Sequence, residues 1–259
     1  MEREKRTGTQ SVGRAVLLVR ELAARGSFGY SLGDLARRCA LDKSTVHRLL
    51  AHLKRERMVQ QRASDGHYIA GPLLYELGLA MREHDAFVRT AQAALDRVAR
   101  ALSAVAFLYL RSDCDYVCAA RAGRLRVKAL SNEVGTRRPL ATSAGGMAII
   151  VALDAAERRK VLAHNLDVIG RFGGLPVASI ERMLQQTLAH KMGVNEACTV
   201  PGWNGYAVAI RNADAMPFAA IMATGEAGAL SLSSRPQLRA ILEREAALLE
   251  ANASSCFPG

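Results

Sequence analysis

Lys43, Ser44, Thr45, His47 and Arg48 stand together in the run "LDKSTVHRLLAHLKRER" (Leu41–Arg57). Side chains of these types can meet base edges and phosphates, or can be no more than the solvated face of a surface helix. An Arg fork matches guanine bidentately, and Ser and His both donate and accept. Thr45 lies nearer the flank, where a phosphate contact is the natural role. Lys54, Arg55 and Arg57 lie farther along and suit backbone contacts or plain solubility. A second candidate is "ATSAGG" (Ala141–Gly146), small residues opening an apolar run that holds Met147 and Ile150. A helix starting there offers unpaired N–H groups and the positive end of a dipole, which is a ready carboxylate site. The alternative is that Thr142 or Ser143 only caps the helix while the glycines allow close packing.

The same stretch is one residue from a G-x-S-x-G nucleophile elbow, with Ala141 where Gly belongs. Ser143, His164 and Asp167 would then be the residues of a serine hydrolase. The preceding "RRPL" lacks the apolar strand an elbow needs, and the chain lacks the long α/β alternation of a hydrolase. The chain therefore does not read as an enzyme. Five Cys, an odd number, suit a reducing compartment better than a disulfide framework. Cys114 and Cys118 find no second pair or nearby His, so neither a zinc site nor another cofactor is expected.

Charge separates two regions of the chain. The net charge is +11. Residues 1–70 hold 14 Lys/Arg against 7 Asp/Glu, and the other 189 hold 21 against 17. A basic first quarter on a nearly balanced remainder suits a nucleic-acid reader joined to something else, and disfavours a general architectural protein. No apolar run approaches the ~20 residues of a membrane span. The charged start "MEREKRTGTQ" is not a signal peptide, so the cytoplasm is the expected location.

Elements must hold the candidates in place. Val46, Leu49, Leu50 and Leu53 form an apolar stripe, which turns Ser44, His47 and Arg48 outward, with the small Ala51 beside them. Asp42 is the expected N-cap, so this helix begins near Lys43. A first helix is predicted after Ser11. Ser31 caps a short second helix, with Asp34 at the capping-box position. Two short helices joined by "CALD" (Cys39–Asp42) make a helix-turn-helix. "MVQQRASDGHYIA" (Met58–Ala70) reads as a hairpin, a wing, with Gly66 in its turn. Arg62 and His67 flank its tip, as phosphate contacts or as solvated hairpin residues. Leu73, Leu74, Leu77 and Met81 mark a linker helix to about Glu83 whose apolar stripe needs a partner. Further helices are predicted over 85–102, 143–153, 155–164, 178–191 and 233–251. Strands are predicted over 104–111, 115–121, 126–130, 205–212 and 217–224. Antiparallel strands with helices on either side predict an α+β sensor domain.

Four stretches in this order resemble the IclR-type transcriptional regulators: "SVGRAVLLVREL" (Ser11–Leu22), "SLGDLARRCALDKSTVHRLLAHL" (Ser31–Leu53), "DGHYIAGPLLYELG" (Asp65–Gly78) and "RRPLATSAGGMAII" (Arg137–Ile150). The N-terminal likeness covers roughly residues 10–80. The C-terminal one is weaker beyond Ile150. The resemblance implies an α+β protein in three parts. A winged helix-turn-helix occupies 10–71, a linker helix 72–84, and a GAF-like effector-binding domain of antiparallel sheet flanked by helices 85–254. It implies operator DNA, a small organic acid, and a second copy of the chain as partners, in dimers or dimers of dimers, with RNA polymerase a further partner it admits. Ser31 joins Lys43, Ser44, Thr45, His47, Arg48, Arg62 and His67 as the expected DNA contacts.

Similar proteins hold the effector at the loop matching Thr142, Ser143, Ala144 and Gly145. The strand "FAAIMATGE" (Phe218–Glu226) resembles a pocket strand that elsewhere alternates small polar residues, and here carries Met222 and Thr224. The loop "GVNEACTVPGWNG" (Gly193–Gly205) is about two residues short and has one acidic residue, Glu196, where the family has a cluster. Trp203 stands there, as pocket wall or as core. These departures argue against a glyoxylate- or pyruvate-sized ligand and for a larger, partly apolar acid, an aromatic carboxylate. Met147, Tyr206, Met222 and Trp203 are expected to line the pocket, with Thr224 or Arg121 bonding a second polar group.

Overall fold

Leu18, Leu22, Leu35, Val46, Leu50 and Leu53 lie on the apolar stripes of the first three helices and are buried in one cluster with Val59 and Tyr68. The computed structural model describes residues 8–124, 133–172, 175–234 and 236–253, and the chain divides into two compact units, Met1–Met81 and Arg82–Gly259. The predicted strand at 126–130 lies outside the described residues.

In the first unit, α1 spans Gly8–Arg25, α2 Leu32–Arg38 and α3 Lys43–Arg55. The α1 helix begins before the predicted start at Ser11, and its Val12 and Val16 are exposed. Ala40, in the turn between α2 and α3, adopts a left-handed φ of 50°. Strands β1 (Val59–Gln61) and β2 (Tyr68–Ala70) pair antiparallel, Val59 opposite Ala70, and Tyr30 bridges to Tyr68. Gly66 supplies a φ of 73° at the tip. Pro72 opens α4 (Pro72–Leu79), which stops short of the predicted Glu83. No residue of α4 is buried, and Tyr75, Leu77, Leu79 and the following Met81 are exposed.

The second unit runs α5 (Arg82–Leu102), β3 (Val105–Ser112), β4 (Asp115–Ala122), β5 (Arg137–Pro139), α6 (Ala144–Ala152), α7 (Ala155–Phe172), α8 (Val177–His190), β6 (Gly193–Glu196), β7 (Trp203–Arg211), β8 (Pro217–Glu226) and α9 (Leu238–Ala253). The sheet is antiparallel in the order β5-β4-β3-β8-β7-β6. Its architecture is α+β. One face packs on α5 and α9 through residues such as Leu108, Tyr206 and Ile221. The other packs on α6, α7 and α8 through Phe107, Tyr109, Ala207 and Met222.

The short strands β5 and β6 were not predicted, and α7 continues past the expected end at His164. At Leu108/Tyr109 the β3–β4 register shifts: Tyr109 pairs with Cys118 and Leu108 with Ala120, so Ala119 is left over as a bulge. Tyr116 and Cys118 therefore face α6 before the bulge. Past it, Arg121 comes opposite Phe107 on that same face. On the α5/α9 side of the sheet, Arg97 Nε and Nη2 of α5 donate to Glu245 Oε2 of α9 at 3.0 and 2.6 Å, and Glu245 is 1% exposed. Among the described residues no helix is long and apolar enough to cross a membrane.

Candidate DNA-binding face and effector site

Burying Val46, Leu50 and Leu53 fixes the rotation of α3, and the opposite face follows at ~100° per residue. Lys43, Ser44, His47, Arg48 and Ala51 are exposed and Thr45 is half-buried. Among the described residues, none of the five polar side chains is hydrogen-bonded or ion-paired within the chain. Asp42 holds the N-cap position, but its carboxylate does not cap. Farther along, Lys54 Nζ donates to Gln61 Oε1 at 3.0 Å and Arg55 Nη2 lies 2.9 Å from His52 Nδ1.

The other three expected contacts are engaged internally. Ser31 Oγ accepts from Asp34 N at 3.2 Å and donates to Asp34 Oδ2 at 2.6 Å, which lowers the Asp34 pKa. The serine is thus a helix cap. The wing residues are engaged more extensively. Arg62 Nε and Nη2 donate to the two oxygens of Asp65 at 3.0 and 2.6 Å. Its Nη1 and Nη2 also donate to the carbonyls of Ser27 and Phe28 at 2.6 and 2.9 Å. The His67 N–H donates to Asp65 Oδ1 at 3.1 Å, and His67 Nδ1 lies 3.0 Å from Asp65 Oδ2. The hydrogen bonds of Arg62, then that of His67, hold the Asp65 carboxyl far below the usual carboxylate range. Arg62 and His67, both partly exposed, are thus engaged within the wing and with the turn between α1 and α2.

In the second unit, Ser143 is 4% exposed and its Oγ accepts from Gly146 N at 3.0 Å, so it caps α6. Thr142 Oγ1 donates to the Pro139 carbonyl at 2.7 Å. Asn165, fully buried on α7, fixes the loop: its Oδ1 accepts from Ala141 N at 2.7 Å and its Nδ2 donates to Cys114 O at 2.8 Å. His164 and Asp167 instead stand exposed on α7, away from the inward-facing side of that helix. They do not assemble with the buried Ser143, and the hydrolase alternative falls. Burial pushes the Cys118 thiol up to about 12.

Ala207, Met222, Phe107 and Arg121 form one cross-strand row on the α6 face. The Arg121 guanidinium carbon lies 5.8 Å from the Phe107 ring centre, within cation–π reach. Next to Phe107 come Tyr109, at 5.7 Å between ring centres, and Tyr116, stacked on Tyr109 at 4.2 Å. Tyr116 is buried, which raises its pKa. Gly145 rests on this ladder: a Cβ there would sit 2.5 Å from Tyr109 Cδ2. Around Gly205, a Cβ would meet Ala144 Cβ, Met222 Cε and Thr224 Oγ1 at 3.5, 3.6 and 3.7 Å.

Ala144, Met222 and Thr224 thus converge, with Thr224 Oγ1 donating to Asn204 O at 2.7 Å. Met147 is buried in the same cluster. Trp203, half-buried, shares the strand parity of Ala207 and stands opposite Glu226. Tyr206 does not join them. Strand alternation turns it to the α5/α9 face, where its OH donates to Glu196 Oε1 at 2.7 Å. Phe107, Tyr109 and Tyr116 were not singled out from sequence. Their signal was the shared parity of Phe107 and Tyr109 in "AVAFLYLR".

Two family models match: the IclR helix-turn-helix domain over residues 11–63 and the bacterial transcriptional regulator IclR C-terminal domain over 80–250. Among solved structures, an IclR transcriptional regulator from Alicyclobacillus acidocaldarius is similar at 21% identity and TM-score 0.72, over 95% of this chain and 99% of that one. An IclR family regulator from Brucella abortus matches at 20% identity and TM-score 0.70, over 100% and 96%. An IclR homolog from Microbacterium hydrocarbonoxydans, complexed with 4-hydroxybenzoate, matches at 19% identity and TM-score 0.65, over 94% and 98%. The curated proteins gave no match. Regulators of this family bind DNA and small-molecule effectors and are not enzymes. With models matching both its helix-turn-helix and the larger part of its length, the chain belongs to the IclR family of transcriptional regulators.

Proposed function

We propose that the chain controls a catabolic operon by reading operator DNA with the outer face of α3 and sensing an aromatic carboxylate at the start of α6. The division of labour is 10–71 for DNA, 72–84 for the linker and 85–254 for the effector. Lys43, Ser44, His47 and Arg48 read the major groove, with Thr45 at its flank. One observation carries this: these side chains have no internal partner among the described residues, while Arg62, Arg38 and Arg57 of the same unit are ion-paired. A surface that leaves an Arg fork unpaired beside Ser and His suits a ligand with base edges.

The effector reading is supported by the ladder of Phe107, Tyr109 and Tyr116 beside Met222, which offers ring faces and polarizable sulfur to a planar ligand. Arg121, at the end of that row, suits a carboxylate or a second acidic substituent, and Thr224 a hydroxyl. Gly146 N is taken by Ser143, so the N–H groups of Ala144 and Gly145 are the ones left for an anion. The Microbacterium homolog, as a 4-hydroxybenzoate complex, is the support that the comparisons lend.

The test is a titration of the protein–DNA complex with benzoate, hydroxybenzoates and aliphatic acids of equal charge, followed by fluorescence anisotropy. Benzoate-class acids should shift DNA affinity and the aliphatic acids should not. Phe107→Leu should raise the aromatic concentration required by about three- to tenfold, the worth of a ring–ring contact. An equal response to the aliphatic acids would sink the aromatic reading.

A further inference from the structure

Resting on the DNA-binding reading above, we propose that Arg62 and Asp65 form an internal brace that holds the wing in its DNA-reading position. Arg62 then serves binding as a positioning residue and not as a phosphate contact. The paired strands β1 and β2 are three residues each, and a short two-stranded hairpin is marginal on its own. Something besides ladder hydrogen bonds has to fix its tip.

Arg62 does so from one side. Its guanidinium grips both oxygens of Asp65 within the tip, and also the carbonyls of Ser27 and Phe28 in the turn between α1 and α2. Gln61 works from the other side: its Nε2 donates to Gly66 O at 2.9 Å while its Oε1 accepts from Lys54 Nζ of α3. The tip is therefore strapped at once to the α1–α2 turn and to the recognition helix. Releasing Arg62 to a phosphate would break four hydrogen bonds and strand the Asp65 carboxylate close to the DNA charge. Only a planar fork can satisfy Asp65 and two carbonyls together. A lysine supplies the same charge as a single point.

A phosphate contact and a brace differ in three readouts. The wild-type protein first enriches a duplex from a random-sequence pool, and that duplex is the probe. Its affinity for wild type and variants is then measured between about 50 and 200 mM salt. The brace predicts that Arg62→Ala weakens binding by about tenfold, near 1.4 kcal/mol, with an unchanged slope of log affinity against log salt. A lost phosphate contact would reduce that slope by about 0.9. The brace also predicts that Arg62→Lys is as weak as Arg62→Ala. It further predicts that Asp65→Asn weakens binding, although removing a negative charge beside DNA should otherwise strengthen it.

A reduced slope for Arg62→Ala, recovery by Arg62→Lys, or tighter binding by Asp65→Asn would each overturn the brace alone. So would an unchanged affinity for Arg62→Ala. If the Ala variant fails to fold, the Lys and Asn variants still decide the matter. Failure of the wild type to enrich any duplex would overturn the DNA-binding reading, and the brace with it.

Discussion

Arg48 and Arg62 carry the same fork of donors, and the fold uses them oppositely. Arg48 stands exposed on α3, whereas Arg62 is closed in on Asp65 and two backbone carbonyls. Arg48→Ala should therefore cost about 1–3 kcal/mol on the specific operator and relax the preference at one base pair. A footprint and affinity unchanged at physiological salt would remove α3 from the major groove. The exposure of Arg48 was legible in the sequence because the stripe Val46, Leu50 and Leu53 sets the helix rotation. The closure of Arg62 was not, because its carbonyl partners lie at Ser27 and Phe28, far back in the chain and silent as to residue type. Tyr206 was misplaced for another reason. Alternation gives parity along one strand, but which parity of β7 joins Met222 depends on inter-strand register, and Ala207, not Tyr206, pairs with it.

At the scale of elements, long periodic segments were readable and short ones were not. The helices α3, α5 and α8 declare themselves through repeated apolar spacing. Strands β5 and β6, three and four residues long, offer too few positions for any period to show. The turn between α2 and α3 holds a testable strain. Ala40 is left-handed at φ 50°, where a Cβ costs roughly 1 kcal/mol. Ala40→Gly should raise the stability of the DNA-binding unit by up to about that amount, offset in part by the freer unfolded chain. Thermal unfolding would measure it, and a lowered melting temperature would refute the strain.

The pairing of α5 with α9 makes a second prediction. Burial alone would raise the Glu245 pKa, but hydrogen bonds and charge from Arg97, with help from Arg244, leave it below its ordinary 4.5. A carboxyl lowered in the folded state stabilises above its unfolded value, and that contribution is lost as pH falls through the folded one. Glu245→Gln should thus be less stable than wild type at neutral pH, with the difference shrinking as pH drops below about 4.5. Denaturant melts across that range would show it, and a constant difference would contradict it.

For the whole molecule, the exposed Tyr75, Leu77, Leu79 and Met81, with Val12 and Val16 on α1, are more apolar surface than a lone DNA-binding unit should leave in water. A second copy of the chain is the expected cover. Sedimentation at micromolar concentration should give a dimer or larger, and Leu77→Glu together with Leu79→Glu should shift it toward monomer. A wild type that sediments as a monomer would end this reading and the expectation of paired half-sites ~10 bp or a multiple apart. The bulge in β4 bears on how such a chain can change its length. Ala119 has no partner in the β3–β4 register, while every residue from Tyr116 to Cys118 and from Ala120 to Ala122 has one. Deleting Ala119 should close the strand into regular pairing and leave Tyr116, Cys118 and Arg121 all pointing where they do now. Deleting Ala120 gives the same sequence and the same outcome, whereas deleting Arg121 would bring Ala122 opposite Phe107 and turn it onto the α6 face. A one-codon deletion is therefore tolerable at the bulge of β4, and past it would exchange the two faces of the strand.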